Sequence, residues 1–434
     1  MADIVIYFRG RRLGLERRDC RLSGPELMTE PARDGLPPAP QTETEPQRPL
    51  TTGLLPSQLL REAVELGREV RAEEPIAEDQ VQPASLDLRL GAVAYRVRAS
   101  FLPGARASVA DKLEHMSMHR IDLAGGAVLE KDCVYIVPLI ERLALKKRTS
   151  GVTNPKSSTG RLDVFARVIT DHGAEFDRVR DGYKGPLYAE LSPRAFSILV
   201  RTGSRLVQLR IRRGTPVFSD TALRRLNDEV GLLEPPPVEA QAGSAGQAIK
   251  NGLAFTVDVK GDPTSGIVGY RARRHTDVID VDRRDHYDPL DFWEPVVARK
   301  GRGDNGGIVL DPNDFYILAS REAVAVPPDH AAEMLPYLSF VGEFRVHHAG
   351  FFDPGFGVAE TGGSGSRAVL EVRCHEVPFL IEHGQIVGRL VYERLMARPD
   401  KLYGSAIGSS YQRQGLALSR HFKPFAPGSL PRTA

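Results

Sequence analysis

The sequence predicts a mainly β protein built from two tandem lobes with a few short helices. Three observations lead there. Apolar and polar residues alternate at period two over many short runs, and Gly, Pro and Asp punctuate those runs, which is the pattern of short antiparallel strands. One such pattern occurs twice: LEKDCVYIVP, from Leu129, is answered by LDPNDFYILA, from Leu310, and LYAELSPRAFSILV, from Leu187, by AVLEVRCHEVPFLI, from Ala368. A stretch rich in Pro, Ala, Gly and Ser at 234–248 divides the chain beyond residue 52 into two pieces of nearly equal length, as a duplication would.

The elements come in order. Residues 1–52 are rich in Pro, Glu, Thr and Arg, bury too little apolar area to offset ordering, and are expected to form a disordered or loosely ordered arm. The first lobe is expected at 53–233, the linker at 234–248 and the second lobe at 249–434. After Pro56, SQLLREAVELGREV places Leu59, Ala63 and Leu66 on one helical face with Ser57 available as a cap. A second helix is expected in PDHAAEML, with Asp329 as its cap. Trp293, the only tryptophan, is expected to pack at a contact between lobes.

Composition narrows the function. The chain has 434 residues, 41% apolar and 26% charged, which suits two or three domains rather than one small module. Lys plus Arg number 58 against 56 Asp plus Glu, so no global basic field holds a nucleic acid or an anionic membrane. Neither is expected as a partner. Cys20, Cys133 and Cys374 are too few and too scattered for a disulfide framework, and no apolar run approaches the roughly 18 residues of a membrane helix. A cytoplasmic protein is expected.

The segment with most chemistry is Pro155-Lys156-Ser157-Ser158-Thr159-Gly160-Arg161. Its hydroxyls and backbone amides can surround phosphate oxygens while Lys156 and Arg161 neutralise them. The H-x-E … P-C-x-x-C ligand set of zinc deaminases is absent, and Cys374-His375-Glu376 lacks a paired Cys-x-x-Cys, so no zinc site is expected. His347 and His348 are adjacent, so at most one faces a pocket. Arg302-Gly303-Asp304 reads as a surface turn and GGSGS, 362–366, as a flexible insertion.

Five segments then occur in a telling order: Gln82-Pro83-Ala84-Ser85-Leu86-Asp87-Leu88-Arg89-Leu90-Gly91, the SSTGR stretch, the turn ending at Gly185, the strand Leu187-Tyr188-Ala189-Glu190, and the tail running from Tyr403 through Tyr411-Gln412-Arg413-Gln414-Gly415 to Ser419-Arg420. In this the chain, from about 53 to 422, resembles the deoxycytidine triphosphate (dCTP) deaminases, which belong to the deoxyuridine triphosphatase-like β-fold, here in tandem duplicated form. The resemblance implies two β-barrel or jelly-roll lobes. It implies that Lys156, Ser157, Ser158 and Arg161 bind phosphates and that Glu371 is the catalytic glutamate. Val369 and Leu370, beside Glu371, join the substrate-binding set, Ala349 and Asp353 match the segment that reads the pyrimidine, and Tyr403 and Gln414 close over the nucleotide. The family's tail lysine is replaced here by Ser410.

Two pairings stay open. Gly173, Asp177 and Glu190 form a partial set in the first lobe, whereas residues 335–341 of the second, LPYLSFV, stand where a phosphate loop belongs. Either the SSTGR corner faces Glu371 across the two lobes, or first lobes of different chains pair and Glu190 is catalytic. The implied activity is zinc-independent deamination of dCTP to deoxyuridine triphosphate (dUTP) and ammonia. The alternatives are dUTP hydrolysis, both steps in one enzyme, or a binding protein without activity. Magnesium is expected on the substrate phosphates with no dedicated protein metal site, and a homo-oligomer is expected.

Overall fold

The alternating runs form antiparallel strands, and the two halves pair them in a common register. The computed structural model describes residues 50–235, 249–262, 265–298, 307–336, 344–346, 350–374, 376–404 and 411–425. Most of the expected arm and linker lies outside these residues. In the first half, Ser117–Asp122, Val93–Val97, Val134–Ala144, Lys184–Pro193 and Val164–Thr170 lie side by side in that order, with Val70–Arg71 added to Val134–Ala144. A second sheet orders Gly53–Leu54, Val207–Arg213, Thr149–Pro155 and Arg178–Val179, with Leu86–Leu88 on Val207–Arg213.

The second half repeats the plan. Trp293–Val297, Ile267–Ala272, Phe315–Val324, Arg367–Cys374 and Phe344–Val346 make one sheet, and Leu253–Thr256, Ile386–Arg394, His330–Pro336 and Phe351–Phe352 make the other. Glu190 lies opposite Ile136 and Glu371 opposite Ile317; Arg213 lies opposite Thr149 and Arg394 opposite His330. Each second-half residue stands 181 positions after its counterpart, so the sequence repeat is a repeat of structure. The protein is therefore mainly β, with several small antiparallel sheets and short helices. Ile198–Val200 pairs in parallel with Ile279–Asp280, a main-chain link between the halves.

Helix placement differs from expectation twice. The first helix, Ser57–Glu65, buries Ser57, Leu60 and Ala63, while Leu66 is exposed; Pro56 occupies the cap, and the Ser57 hydroxyl donates to Asp400 instead of capping. PDHAAEML is not a helix. His330–Pro336 is a strand held between Ile386–Arg394 and Phe351–Phe352, and these partners, distant in sequence, override the helical preference of Ala, Glu and Met.

The core explains how the halves hold together. One cluster packs first-half Leu86, Val137 and Phe196 with second-half Ile267, Trp293, Ile317, Val369 and Phe422. Trp293 is fully buried, with its ring 5.3 Å from Phe196 and 6.0 Å from Phe422, so it packs between the halves as expected. Truncating such a buried tryptophan costs roughly 3–5 kcal/mol. A second cluster lies within the second half, and Leu223, Leu226, Leu232 and Leu233, expected in the first lobe, pack into it.

The corresponding sheet faces have different covers. Ile317 and Val369 lie in the cluster shared with the first half, whereas their counterparts Ile136 and Tyr188 lie under Val109 and Leu113 of the helix Val109–Met116. That helix is fixed by a capping box in which Ser108 accepts from Asp111 N and the Asp111 carboxylate accepts from Ser108 N.

Candidate active site

The phosphate-loop candidate is a corner between two strands. Thr149–Pro155 ends at Pro155, Lys156 keeps extended backbone, and Ser157–Gly160 make a single helical turn. Thr159 fixes the corner, its hydroxyl donating to Leu206 O at 2.9 Å. Ser158, Thr159, Gly160 and Arg161 are buried as a result. Lys156 forms an ion pair with Asp87, which the QPASLDLRLG segment supplies on the strand Leu86–Leu88. Burial pushes the Lys156 ammonium below its ordinary range, with Asp87 opposing that effect.

This corner opens on a cavity of about 520 Å³ whose opposite wall belongs to the second half. On the strand Arg367–Cys374, Val369 and Glu371 line the cavity, while Leu370 points the other way into the second cluster. The Leu370 side chain therefore does not contribute to the site as expected. Glu371 is only 4% exposed, and its carboxyl has no hydrogen-bond partner among the described residues. Burial pushes its pKa up to about 8; the Arg161 charge opposes that rise and the Asp163 charge adds to it. A buried carboxyl with a pKa near 8 is protonated near pH 7, so it can give a proton first and, once ionised, take one back.

Asp353 also lines the cavity, paired with Arg210 of the first half at 3.0 Å, and burial raises its pKa against the pull of that arginine. The tail covers the site. Arg161 donates to Gln414 Oε1 at 2.7 Å and to Ala417 O at 3.1 Å, and its guanidinium carbon lies 3.8 Å from the Tyr411 ring centroid. Tyr403 stands beside Phe356, its hydroxyl accepts from Tyr411 N at 3.2 Å, and its phenol pKa is raised by burial.

The glycine-rich insertion anchors that tail rather than hanging free. Gln412 Nε2 donates to Thr361 Oγ1 at 2.9 Å and Gly355 O at 3.2 Å, Arg413 N donates to Ser366 Oγ at 2.9 Å, and Arg367 N donates to Gln414 O at 2.8 Å. Ser419 Oγ donates to Ser158 O at 2.8 Å, tying the tail to the phosphate corner.

The structure thus brings together Lys156, Ser157, Ser158, Arg161, Asp353, Val369, Glu371, Tyr403 and Gln414. Glu190 is elsewhere. It is buried on the first-half sheet, ion-paired with Arg167, whose guanidinium carbon sits 3.8 Å from the Phe176 ring centroid. Ala349, His347, His348, Ser410, His375, Arg302-Gly303-Asp304 and residues 337–341 lie outside the described residues. Sequence reasoning missed Asp87, Arg205, Arg284, Met334, Phe352, Tyr411 and Arg420 as cavity residues. Asp87, Tyr411 and Arg420 stand inside the quoted segments, which was the available signal; Arg205 and Arg284 carry none.

Three of the acids that line the cavity already have partners. Asp87 is paired with Lys156, Asp79 with Arg205, and Asp282 with Arg201 and Ser204. Among the described residues no group of three or more His, Cys, Asp or Glu converges to hold a metal ion, and no helix is long and apolar enough to cross a membrane.

Residues 51–215 match the family model of the 2'-deoxycytidine 5'-triphosphate deaminase N-terminal domain, and residues 219–422 that of the C-terminal domain. The crystal structure of 2'-deoxycytidine 5'-triphosphate deaminase from Agrobacterium tumefaciens is 53% identical, with a TM-score of 0.75, over 82% of this chain and 100% of that one. A curated dCTP deaminase, dUMP-forming, from Beutenbergia cavernae is 30% identical over 45% of this chain and 96% of its own length. Its counterpart from Parafrankia sp. is 30% identical over 38% of this chain and 80% of its own.

Proposed function

Because the chain belongs to the dCTP deaminase family, we propose that it deaminates dCTP in the composite cavity, with Glu371 as the catalytic acid and base. The observation that carries this reading is the position of Glu371, buried and, among the described residues, without a hydrogen-bond partner, on the wall facing the SSTGR corner. Lys156, Ser157, Ser158 and Arg161 would hold the phosphates, and Asp353 and Val369 would seat the nucleoside. The cytosine ring would then lie against Glu371, under Tyr403 and Gln414.

Glu371, protonated at rest, would give its proton to the ring nitrogen N3 and, as the carboxylate, take one from the water that adds to C4 as hydroxide. It would pass that proton to N4, the C4–N4 bond would break, and the C4 hydroxyl would return a proton to the carboxylate as the carbonyl forms, so dCTP and water give dUTP and ammonia. Magnesium would arrive on the triphosphate, which carries about four negative charges, and would share their neutralisation. The paired acids of the cavity fit that reading better than a dedicated protein site.

A second reading adds hydrolysis of the product to deoxyuridine monophosphate (dUMP), and what favours it is the dUMP-forming name of the curated relatives. We read the two halves as jelly-roll lobes divided near 215–219, and keep the cytoplasm and a homo-oligomer as parts of the proposal. Because the cavity draws both walls from one chain, it would not need a neighbour to be complete.

The test incubates purified protein with dCTP and magnesium and measures ammonia and pyrophosphate. Ammonia release by the native chain and by Glu190→Gln is expected, with a loss of at least ~1,000-fold in Glu371→Gln. Pyrophosphate in addition selects the two-step reading; turnover that persists in Glu371→Gln, or no ammonia at all, overturns the proposal.

A further inference from the structure

The phosphate side of the cavity contains an arginine whose side chain forms no ion pair and no hydrogen bond among the described residues. Lys156 is paired with Asp87; Arg205 binds Asp79 through two contacts, 2.9 and 3.1 Å; Arg161 is held by Gln414 and tail carbonyls. Arg420 lines the same cavity, half-buried, yet among the described residues its side chain meets no carboxylate and donates no hydrogen bond. Its Nε is buried and has no hydrogen-bond partner among the described residues. The contrast with other buried arginines is direct: Arg89 is paired with Glu141, Arg210 with Asp353 and Arg373 with Asp163.

Leaving a buried donor unmet costs about 1–3 kcal/mol, so the surroundings must hold Arg420 in place. They do. Its backbone N donates to the Tyr411 hydroxyl at 3.1 Å and its carbonyl accepts from Asp285 N at 3.0 Å. On either side, Ser419 is bonded to Ser158, and His421 Nε2 lies 3.0 Å from Val281 O. An arginine whose main chain is anchored in this way, with its guanidinium unpaired among the described residues, presents its donors to the cavity for an anion.

The charges around it indicate which anion. Arg420 interacts with Lys156, Arg284, Asp87 and Asp282, whereas the charges that act on Glu371 are Arg161 and Asp163. A nucleotide with its base on Glu371 would extend past Arg161 towards the side of the cavity that Lys156 and Arg420 line. We propose that Arg420 binds the terminal phosphate of the nucleotide and makes the cavity selective for triphosphates over shorter nucleotides; this rests on the dCTP reading of the cavity.

The test is calorimetric binding of dCTP, dCDP and dCMP to the full chain and to Arg420→Gln and Arg420→Lys, with urea unfolding to confirm that each variant folds. Arg420→Gln should weaken dCTP about 10–100-fold and dCMP less than about twofold, and Arg420→Lys should recover part of the loss. Equal weakening of all three nucleotides, or none, overturns the proposal. Inorganic tripolyphosphate and pyrophosphate separate this result from the deaminase reading. Arg420→Gln should weaken tripolyphosphate the more, even if the native chain releases no ammonia from dCTP; equal effects on the two inorganic anions overturn the role of Arg420 alone.

Discussion

The guanidinium of Arg210 and the carboxyl of Asp353 meet at 3.0 Å across the two halves of the chain, at the wall of the cavity. Arg210 is fully buried and also donates to Ala332 O at 2.8 Å and Phe352 O at 2.9 Å. One side chain thus fixes the strand Phe351–Phe352 against the first half and aims Asp353 inward. Arg210→Met removes the cation but leaves a buried carboxyl and two carbonyls without their donor. Breaking such a pair costs about 3–5 kcal/mol. Urea unfolding should report a loss of that size, partly recovered in the double variant with Asp353→Leu, because removing both partners removes the uncompensated acid. A loss below about 1 kcal/mol would show that the pair is dispensable.

Glu371 should make stability depend on pH. Its folded pKa, about 8, lies above the ordinary carboxyl value of 4.5, so the folded state holds the proton more tightly than the unfolded state does. Its stabilising contribution is complete below about pH 4.5 and declines as pH rises towards 8, at up to about 1.4 kcal/mol per pH unit. Glu371→Gln stays neutral and abolishes that decline. Denaturant midpoints of the native chain and Glu371→Gln should therefore separate increasingly between pH 5 and pH 8, the variant being the more stable at the upper end; parallel curves would place the Glu371 pKa near its ordinary value.

Some of this site is legible in the sequence and some is not, for physical reasons. The SSTGR corner and the tail motif concentrate hydroxyls, cations and amides in a few positions, so their chemistry can be read locally. Glu190 and Glu371 cannot be told apart in that way, because both occupy the same position of the same strand pattern. What separates them is the cover over each face: the helix Val109–Met116 with Arg167 on one, the opposite half of the chain on the other. His330–Pro336 reads locally as a helix because its neighbours in the sheet lie at 351–352 and 386–394, beyond any local signal. That Leu223 and Leu226 of Asp220–Val230 pack with the second half is not legible locally, because their partners come later in the chain and the proline-rich stretch after Glu234 is the stronger nearby signal.

The glycine-rich insertion should matter through the tail. A side chain at Gly363 would run into the Gln412 amide, which binds Gly355 O, Thr361 Oγ1 and Tyr403 O. Gly363→Ala displaces a flexible group, so the fold survives while the anchor is weakened. Loss of one or two hydrogen bonds, about 1–2 kcal/mol, should weaken dCTP binding roughly 5–30-fold and leave the unfolding midpoint nearly unchanged. Unaltered dCTP affinity would mean that Tyr411 and Gln414 reach their positions without this anchor.

The duplication should yield one nucleotide site per chain, not two. At the 181-residue spacing, the positions matching Lys156, Ser157 and Arg161 are Tyr337, Leu338 and Gly342, so the sequence of the second half has no cation at these positions. The other component of a second site would be Glu190, and Arg167 already neutralises it beneath a face closed by Val109 and Leu113. Restoring a second site would take new cations in one half and an uncovered acid in the other, so no single substitution can do it. Glu371→Gln, which cannot turn over the ligand, suits the measurement. Calorimetry with dCTP should saturate at one nucleotide per chain, and Arg167→Ala should leave that number at one; saturation at two would require a phosphate site that uses neither Lys156 nor Arg161.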